Sequence, residues 1–177
     1  MSKMILDACC GGRMFWFDKH HSDTVFIDNR TMPPTKFSNG ATLSVDPDIV
    51  MDFRKMDFAD ESFSLVVFDP PHVLNAGDKS FLARKYGYLK KETWKDDLTV
   101  GFAECFRVLR PNGVLIFKWN EMHIPLKEIL ALTPIKPLFG NRSGRASKTH
   151  WVCFMKTNVL DSKTNKTKPS AINGKRG

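Results

Sequence analysis

Nowhere does the sequence run apolar for the ~18 residues that a bilayer-crossing helix needs. Its opening, Met1-Ser2-Lys3-Met4-Ile5-Leu6-Asp7, lacks the apolar stretch of a secretory signal. A cytoplasmic protein with no membrane partner is the expectation. Cysteine is scarce too. Of the four, Cys9 and Cys10 are adjacent while Cys105 and Cys153 stand alone in apolar segments, which excludes a disulfide framework and paired metal-ligand spacing. Reduced thiols and no metal follow. A G-x-G-x-x-G loop is missing, which counts against a nicotinamide dinucleotide enzyme, and there is no internal repeat. Acidic residues are outnumbered 19 to 27 by lysine and arginine, leaving a net charge of +8. That excess suits a polyanionic partner, although +4 of it lies in residues 157–177.

This last segment is Lys, Thr, Ser and Asn with almost nothing to bury, and reads as a disordered basic tail after one domain over residues 1–156. Within the domain, apolar runs at 4–8, 24–28, 49–53, 63–69, 113–119 and 150–156 are separated by turn or helical segments, the pattern of an α/β fold. Several runs do not alternate, as strands covered on both faces would not. Trp94, Leu98, Phe102, Cys105, Phe106 and Leu109 recur at helical spacing, so a helix is predicted over 92–109, closed by Arg110-Pro111-Asn112-Gly113. A shorter helix is predicted over 125–132, a weak strand over 135–139 and a helical stretch over 14–20. Residues 31–47, with Pro33, Pro34, Pro47 and Asn39-Gly40, read as a loop where the alternation would place a helix.

Four of the predicted strands end in residues that carry chemistry. The first runs into Asp7-Ala8-Cys9-Cys10-Gly11-Gly12-Arg13, and a strand followed by glycines and a helix start lets backbone approach a ligand and aim amide donors at it. The second ends at Asp28, 21 residues after Asp7, close to the ~20-residue offset at which an acid reaches a ribose in nucleoside-binding α/β folds. The third ends in Asp52-Phe53 and the fourth in Asp69-Pro70-Pro71-His72. Taken singly, these are a Gly-Gly turn, capping aspartates and prolines that stop a strand. Because ligands of open α/β sheets bind beyond the carboxyl ends of the strands, all four would converge on one crevice.

The stretches "DACCGG", "FID", "MDFRKMDFADESFSLVVFDPPH" and "CFRVLRPNGVLIFKW" resemble the successive motifs of class I S-adenosylmethionine-dependent methyltransferases, over roughly residues 4–156. The resemblance implies a Rossmann-like, doubly wound sheet of seven strands, mostly parallel with an antiparallel last strand. It also implies S-adenosyl-L-methionine as cofactor, held by Asp7, Ala8, Cys9, Cys10, Gly11, Arg13, Asp28, Asp52, Phe53 and Asp69, with its ribose on Asp28 and its adenine near Asp52 and Phe53. Asp69-Pro70-Pro71-His72 is similar to the [DNS]-P-P-[YFW] tetrad of amino-group methyltransferases, and the whole chain resembles small phage and prophage methyltransferases. Two positions depart from the pattern: His72 stands where an aromatic residue is usual, and Arg13 where the loop's final glycine is common.

An exocyclic amine conjugated to an aromatic ring is a poor nucleophile because its lone pair is delocalised. Accepting hydrogen bonds from its two protons, one by the Asp69 carboxylate and one by the Pro70 carbonyl, would favour a tetrahedral nitrogen, and the prolines keep that carbonyl free and fixed. His72 would stack on the target ring, or hydrogen-bond and take a proton. Lys79, Arg84, Lys85 and Tyr86 mix cations with an aromatic in one loop, and Arg142, Arg145 and Lys148 form a second basic stretch, so both are expected on a substrate's phosphates and bases. The leading expectation is transfer to an exocyclic amino group of a nucleic-acid base, adenine N6 of DNA before RNA. RNA or a small-molecule amine methylation, or a cofactor-binding subunit that has lost catalysis, are the alternatives. The oligomeric state has no signature.

Overall fold

Short runs of β-branched and aromatic residues, each cut off by Asp, Asn, Gly or Pro, set the architecture of the computed structural model, which describes residues 3–74, 77, 80–144 and 147–157. In chain order these are β1 (Ile5–Asp7), β2 (Thr24–Asp28), β3 (Met32–Lys36), β4 (Thr42–Val45), β5 (Ile49–Val50), β6 (Phe63–Phe68), α1 (Phe81–Tyr86), α2 (Trp94–Val108), β7 (Leu109–Asn120), α3 (Leu126–Leu130), β8 (Phe139–Arg142) and β9 (Thr149–Met155). Seven strands form one sheet in the order β5-β2-β1-β6-β7-β9-β8. β9 is antiparallel to β7 and β8, and the other pairings are parallel. This is the expected Rossmann-like sheet, antiparallel last strand included. The proposed tail beyond residue 157 lies outside the described residues, and among the described residues no helix is long and apolar enough to cross a membrane.

Register decides where the core sits. Leu6 pairs Val66, Val66 pairs Leu115, Phe68 pairs Phe117 and Leu115 pairs Phe154, so these six buried side chains share one face of the sheet. Helix α2 covers that face with Leu98, Phe102, Cys105 and Phe106, the Phe102 ring lying 4.9 Å from that of Phe117 and 5.4 Å from that of Phe68. The other face is only partly covered. Along β7, buried Leu115, Phe117 and Trp119 alternate with half-buried Val114, Ile116 and Lys118, which corrects the expectation of strands enclosed on both sides.

The cause is that two segments expected to behave otherwise have taken other forms. Residues 14–20 make turns rather than a helix, pinned by Trp16 and Phe15 against Phe26 and Trp151. Residues 31–47 are not a loop but the β3–β4 hairpin, in which Thr35 pairs Leu43 and Lys36 pairs Thr42. Its tip is Asn39-Gly40, with Gly40 at φ +82°, the residue pair that hairpins select. Pro33 and Pro34 are tolerated because a two-stranded ribbon is all edge. The weak strand expected at 135–139 begins instead at Phe139, beyond Pro134 and Pro137, whose missing amides cannot join a ladder.

Gly101 sets how close α2 lies to the sheet. A Cβ built there would stand 2.7 Å from the Phe53 ring and 2.9 Å from that of Phe68. In an open helix Gly→Ala gains about 1 kcal/mol, whereas overpacking a filled core costs about 1–3 kcal/mol; both rings are buried and cannot swing aside cheaply. Gly101→Ala is therefore expected to lower the midpoint of thermal unfolding, and a raised midpoint would refute this packing argument.

Candidate functional site

The segment after β1 lies across the ends of the neighbouring strands. The Ala8 amide donates to Val67 O at 2.9 Å and the Cys10 amide to Ile27 O at 2.8 Å, which suspends Ala8–Cys10 between β6 and β2. Gly11 at φ +48° has open space where a Cβ would point. Arg13, at φ +51°, adopts the left-handed conformation itself, at a cost of roughly 1–2 kcal/mol. Its guanidinium offsets that by donating to Lys19 O, Asp46 O and Asp48 Oδ1 at 2.5, 2.8 and 2.9 Å while lying over the Phe26 ring. Thus Arg13 can stand at a glycine position, and its side chain serves structure.

Beyond the loop opens a cavity of about 710 Å³, lined by Ala8, Cys9, Cys10, Gly11 and Gly12 on one side and by Asp69, Pro70, Pro71, His72 and Lys118 on another. Met32 and Val45 of the hairpin and residues 83–90 at and after α1 complete the walls. Hairpin and helix are joined: the Phe37 and Phe81 rings meet edge to face at 5.1 Å, and the Arg84 guanidinium lies 5.0 Å from the centre of Phe37.

Three aspartates crowd the edge of the sheet, and each meets burial differently. Asp28 at the end of β2 accepts from the Gly11 amide, the Arg30 amide and, through a fork, Arg30 Nε and Nη2, all at 3.0–3.2 Å. These donors fill the four acceptor positions of a carboxylate. Arg30 also reaches Arg84 O and Ala83 O of α1 at 3.4 and 3.5 Å, tying the β2 edge to that helix. Asp69 accepts from Lys118 Nζ at 2.5 Å; burial still holds its carboxyl above the usual range, with Lys118 pulling the other way. Asp7 is fully buried, its oxygens bound to Trp16 Nε1 at 2.7 Å and the Cys9 amide at 3.2 Å, and burial pushes it up to about 7 despite those donors. The neighbouring thiols stay protonated, since burial raises Cys9 well above its ordinary value and Cys10 to about 12.

No protein-family model matches the chain, and neither does any curated protein. Solved structures do. A Pyrococcus horikoshii protein superposes with a TM-score of 0.56 at 15% identity, covering 89% of this chain and 83% of its own. An S-adenosylmethionine-dependent methyltransferase from Methanosarcina mazei gives 0.51 at 15% identity, with 88% and 93% covered. The 1,6-didemethyltoxoflavin-N1-methyltransferase of Burkholderia thailandensis, bound to 1,6-didemethyltoxoflavin and S-adenosylhomocysteine, gives 0.50 at 13%, with 89% and 72% covered. The fold is that of the S-adenosylmethionine-dependent methyltransferases.

On this methyltransferase fold, Ala8, Cys9, Cys10, Gly11, Asp28, Phe53 and the tetrad Asp69 to His72 line the cavity, as do Arg84, Lys85 and Tyr86. Asp7 does not line it, because its carboxylate is spent on Trp16 and Cys9. Neither does Arg13, turned toward Asp48, nor Asp52, whose carboxylate is held by Arg54 and thereby lowered. Arg142 and Lys148 sit at the same sheet edge but outside the cavity, Arg142 bonding Ser147 O; Lys79 and Arg145 lie outside the described residues. Sequence reasoning missed Arg30, Arg54 and Lys118. Lys118 had left a signal, a lone cation inside the apolar run Leu115-Ile116-Phe117-Lys118-Trp119.

His72 is buried with its ring 5.1 Å from that of Tyr86 and 6.3 Å from that of Trp119. Burial, with Lys118 and the His123 ring nearby, lowers it to about 4. At neutral pH it is an uncharged planar ring. Between about 6.5 and 4 the unfolded chain takes a proton that the folded chain refuses, so stability falls as pH falls through that window. The 2.5-unit gap corresponds to at most about 3 kcal/mol. Urea unfolding should show the wild type losing this stability between pH 7 and 4 relative to His72→Phe. A constant difference between the two proteins would mean that His72 takes up its proton in the fold as readily as in the unfolded chain.

Proposed function

We propose that the chain is an S-adenosylmethionine-dependent N-methyltransferase acting on an exocyclic amino group of a nucleic-acid base, adenine N6 of DNA foremost, as the small phage and prophage enzymes it resembles would be. The observation that carries the reading is the assembly, around one 710 Å³ cavity, of the glycine loop, Asp28, Phe53 and the Asp69-Pro70-Pro71-His72 tetrad. The loop fits the cofactor: Gly11 leaves a cradle that a Cβ would fill, and Asp28 is an acid at the end of β2 that a ribose hydroxyl could reach by competing with Arg30. When bound, the cofactor would supply a methyl group on cationic sulfur; its transfer to the amine nitrogen would break the S–C bond and leave neutral S-adenosylhomocysteine, with the displaced N–H proton passing to Asp69 or solvent.

The remaining work falls to this chain's residues. Asp69 and the Pro70 carbonyl accept hydrogen bonds from the amine's two N–H groups and hold its lone pair out of conjugation. Neutral His72, backed by Tyr86, offers a ring face to the base. Arg84 and Lys85 line the same cavity and favour a substrate carrying phosphate. A base in a duplex must be flipped into such a site, at a cost of roughly a few kcal/mol. The walls raised by the hairpin and α1 also favour a second reading, methylation of a small heteroaromatic amine.

Single-turnover assays with tritiated cofactor and DNA, RNA or free nucleosides separate these readings. Asp69→Ala should keep its unfolding midpoint and cofactor affinity while losing about 10²–10³-fold in turnover. Full activity in the folded variant would end the amino-methyltransferase reading. In calorimetry Asp28→Ala should bind S-adenosylmethionine at least about tenfold more weakly, and unchanged affinity would remove Asp28 from the ribose site. Added salt should weaken polynucleotide binding steeply; a flat response would favour the small amine.

A further inference from the structure

Lys118 is a cation held where a lysine would ordinarily escape to water. The β6–β7 register, Phe68 against Phe117, sets Asp69 and Lys118 side by side just past the paired core residues. Across the next ladder Lys118 pairs with Trp151, and Phe15 from the segment after β1 packs edge to face against that ring. Its Nζ lies 5.3 Å from the centre of the Phe15 ring and 5.7 Å from that of Trp151, the two rings being edge to face at 5.3 Å. Negative ring faces replace part of the lost hydration of the ammonium. Its short contact is with Asp69 Oδ2, at 2.5 Å.

We propose that Lys118 is the positioning residue of the methyl-transfer site, fixing Asp69 through Oδ2 so that Oδ1 is presented to the target amine; this rests on the methyltransferase reading above. A carboxylate on a strand end rotates about its side-chain torsions, and an amine acceptor must be aimed before the reaction to help its transition state. The charges around Asp69 make the pair necessary. Asp7 at the end of β1 carries like charge whenever it is ionised, while the Cys9 thiol and the His72 ring are neutral. Lys118 is the cation that acts on Asp69, opposing the burial that raises its carboxyl. Because the ion pair and the two adjoining rings both hold Nζ, Lys118 acts on Asp69 and leaves substrate phosphates to Arg84 and Lys85.

The test uses the full chain with Lys118→Met, which keeps length and removes charge, and Lys118→Arg, which keeps charge. The Asp69 carboxyl carbon, identified by its loss in Asp69→Asn, is titrated by carbon-13 NMR, and single-turnover methyl transfer is followed against pH. In Lys118→Met the Asp69 titration should rise by about 1–3 pH units, and the acid limb of the rate profile should move with it. The rate at pH 7 should fall at least about tenfold at unchanged cofactor affinity, since the lost interaction acts on the transition state. Lys118→Arg should return the limb toward the wild type. An unmoved titration and limb in Lys118→Met overturn the proposal, and should that variant not fold, Lys118→Gln makes the same comparison. A wild type that methylates no amine, with the titration still displaced in Lys118→Met, overturns the methyl-transfer role while leaving the ion pair itself established.

Discussion

Parallel pairing of β6 with β1 on one side and β7 on the other is the constraint from which the rest follows. Parallel strands end on the same edge, so the glycine loop, the Asp-Pro-Pro-His tetrad and Lys118 meet although they are far apart in sequence. Because β9 returns antiparallel to β7, Trp151 enters at that edge from the opposite chain direction. Had β6 paired antiparallel, Asp69 would stand at the far end of the sheet from Gly11. The cavity is thus a product of topology before it is a product of side chains.

Converging strand ends also bring like charges together, and the fold answers at each carboxylate separately. Arg30 and two backbone amides compensate Asp28, Lys118 compensates Asp69, and Asp7, with only neutral donors, is left close to protonation at neutral pH. The differences have consequences for chemistry. Asp69 has the cation Lys118 as its partner and lines the cavity, whereas Asp7 is withdrawn into the scaffold, where its buried carboxyl bridges Trp16 and the loop.

A third feature is economy of helix. Among the described residues, turns follow β1 and a hairpin follows β2 in places where an alternating fold sets helices. The first puts Phe15 and Trp16 over the sheet, and Phe15 becomes one of the two rings beside Lys118. The second packs Phe37 on Phe81 and so joins the hairpin wall of the cavity to the basic helix α1. Loss of regular structure on one face is therefore turned to building the walls of the site.

The order of the parallel strands was legible along the chain because β1, β2, β5, β6 and β7 lie in apolar runs that stop at Asp or Asn, and α2 because its apolar residues keep a 3.6-residue period. The seven-stranded topology was legible through family resemblance. The tetrad was legible because proline chemistry is local. The sequence alone could not settle which aspartates face the cavity: Asp7, Asp28, Asp52 and Asp69 look alike at strand ends, and only the donors that reach them across the sheet tell them apart. The hairpin at 31–47 was hidden behind prolines that usually mean a loop, though its Asn39-Gly40 tip was the local sign. Lys118 was a lone cation in a strand until the β6–β7 register set it beside Asp69, because a charge acquires its role from the partner that packing places within reach.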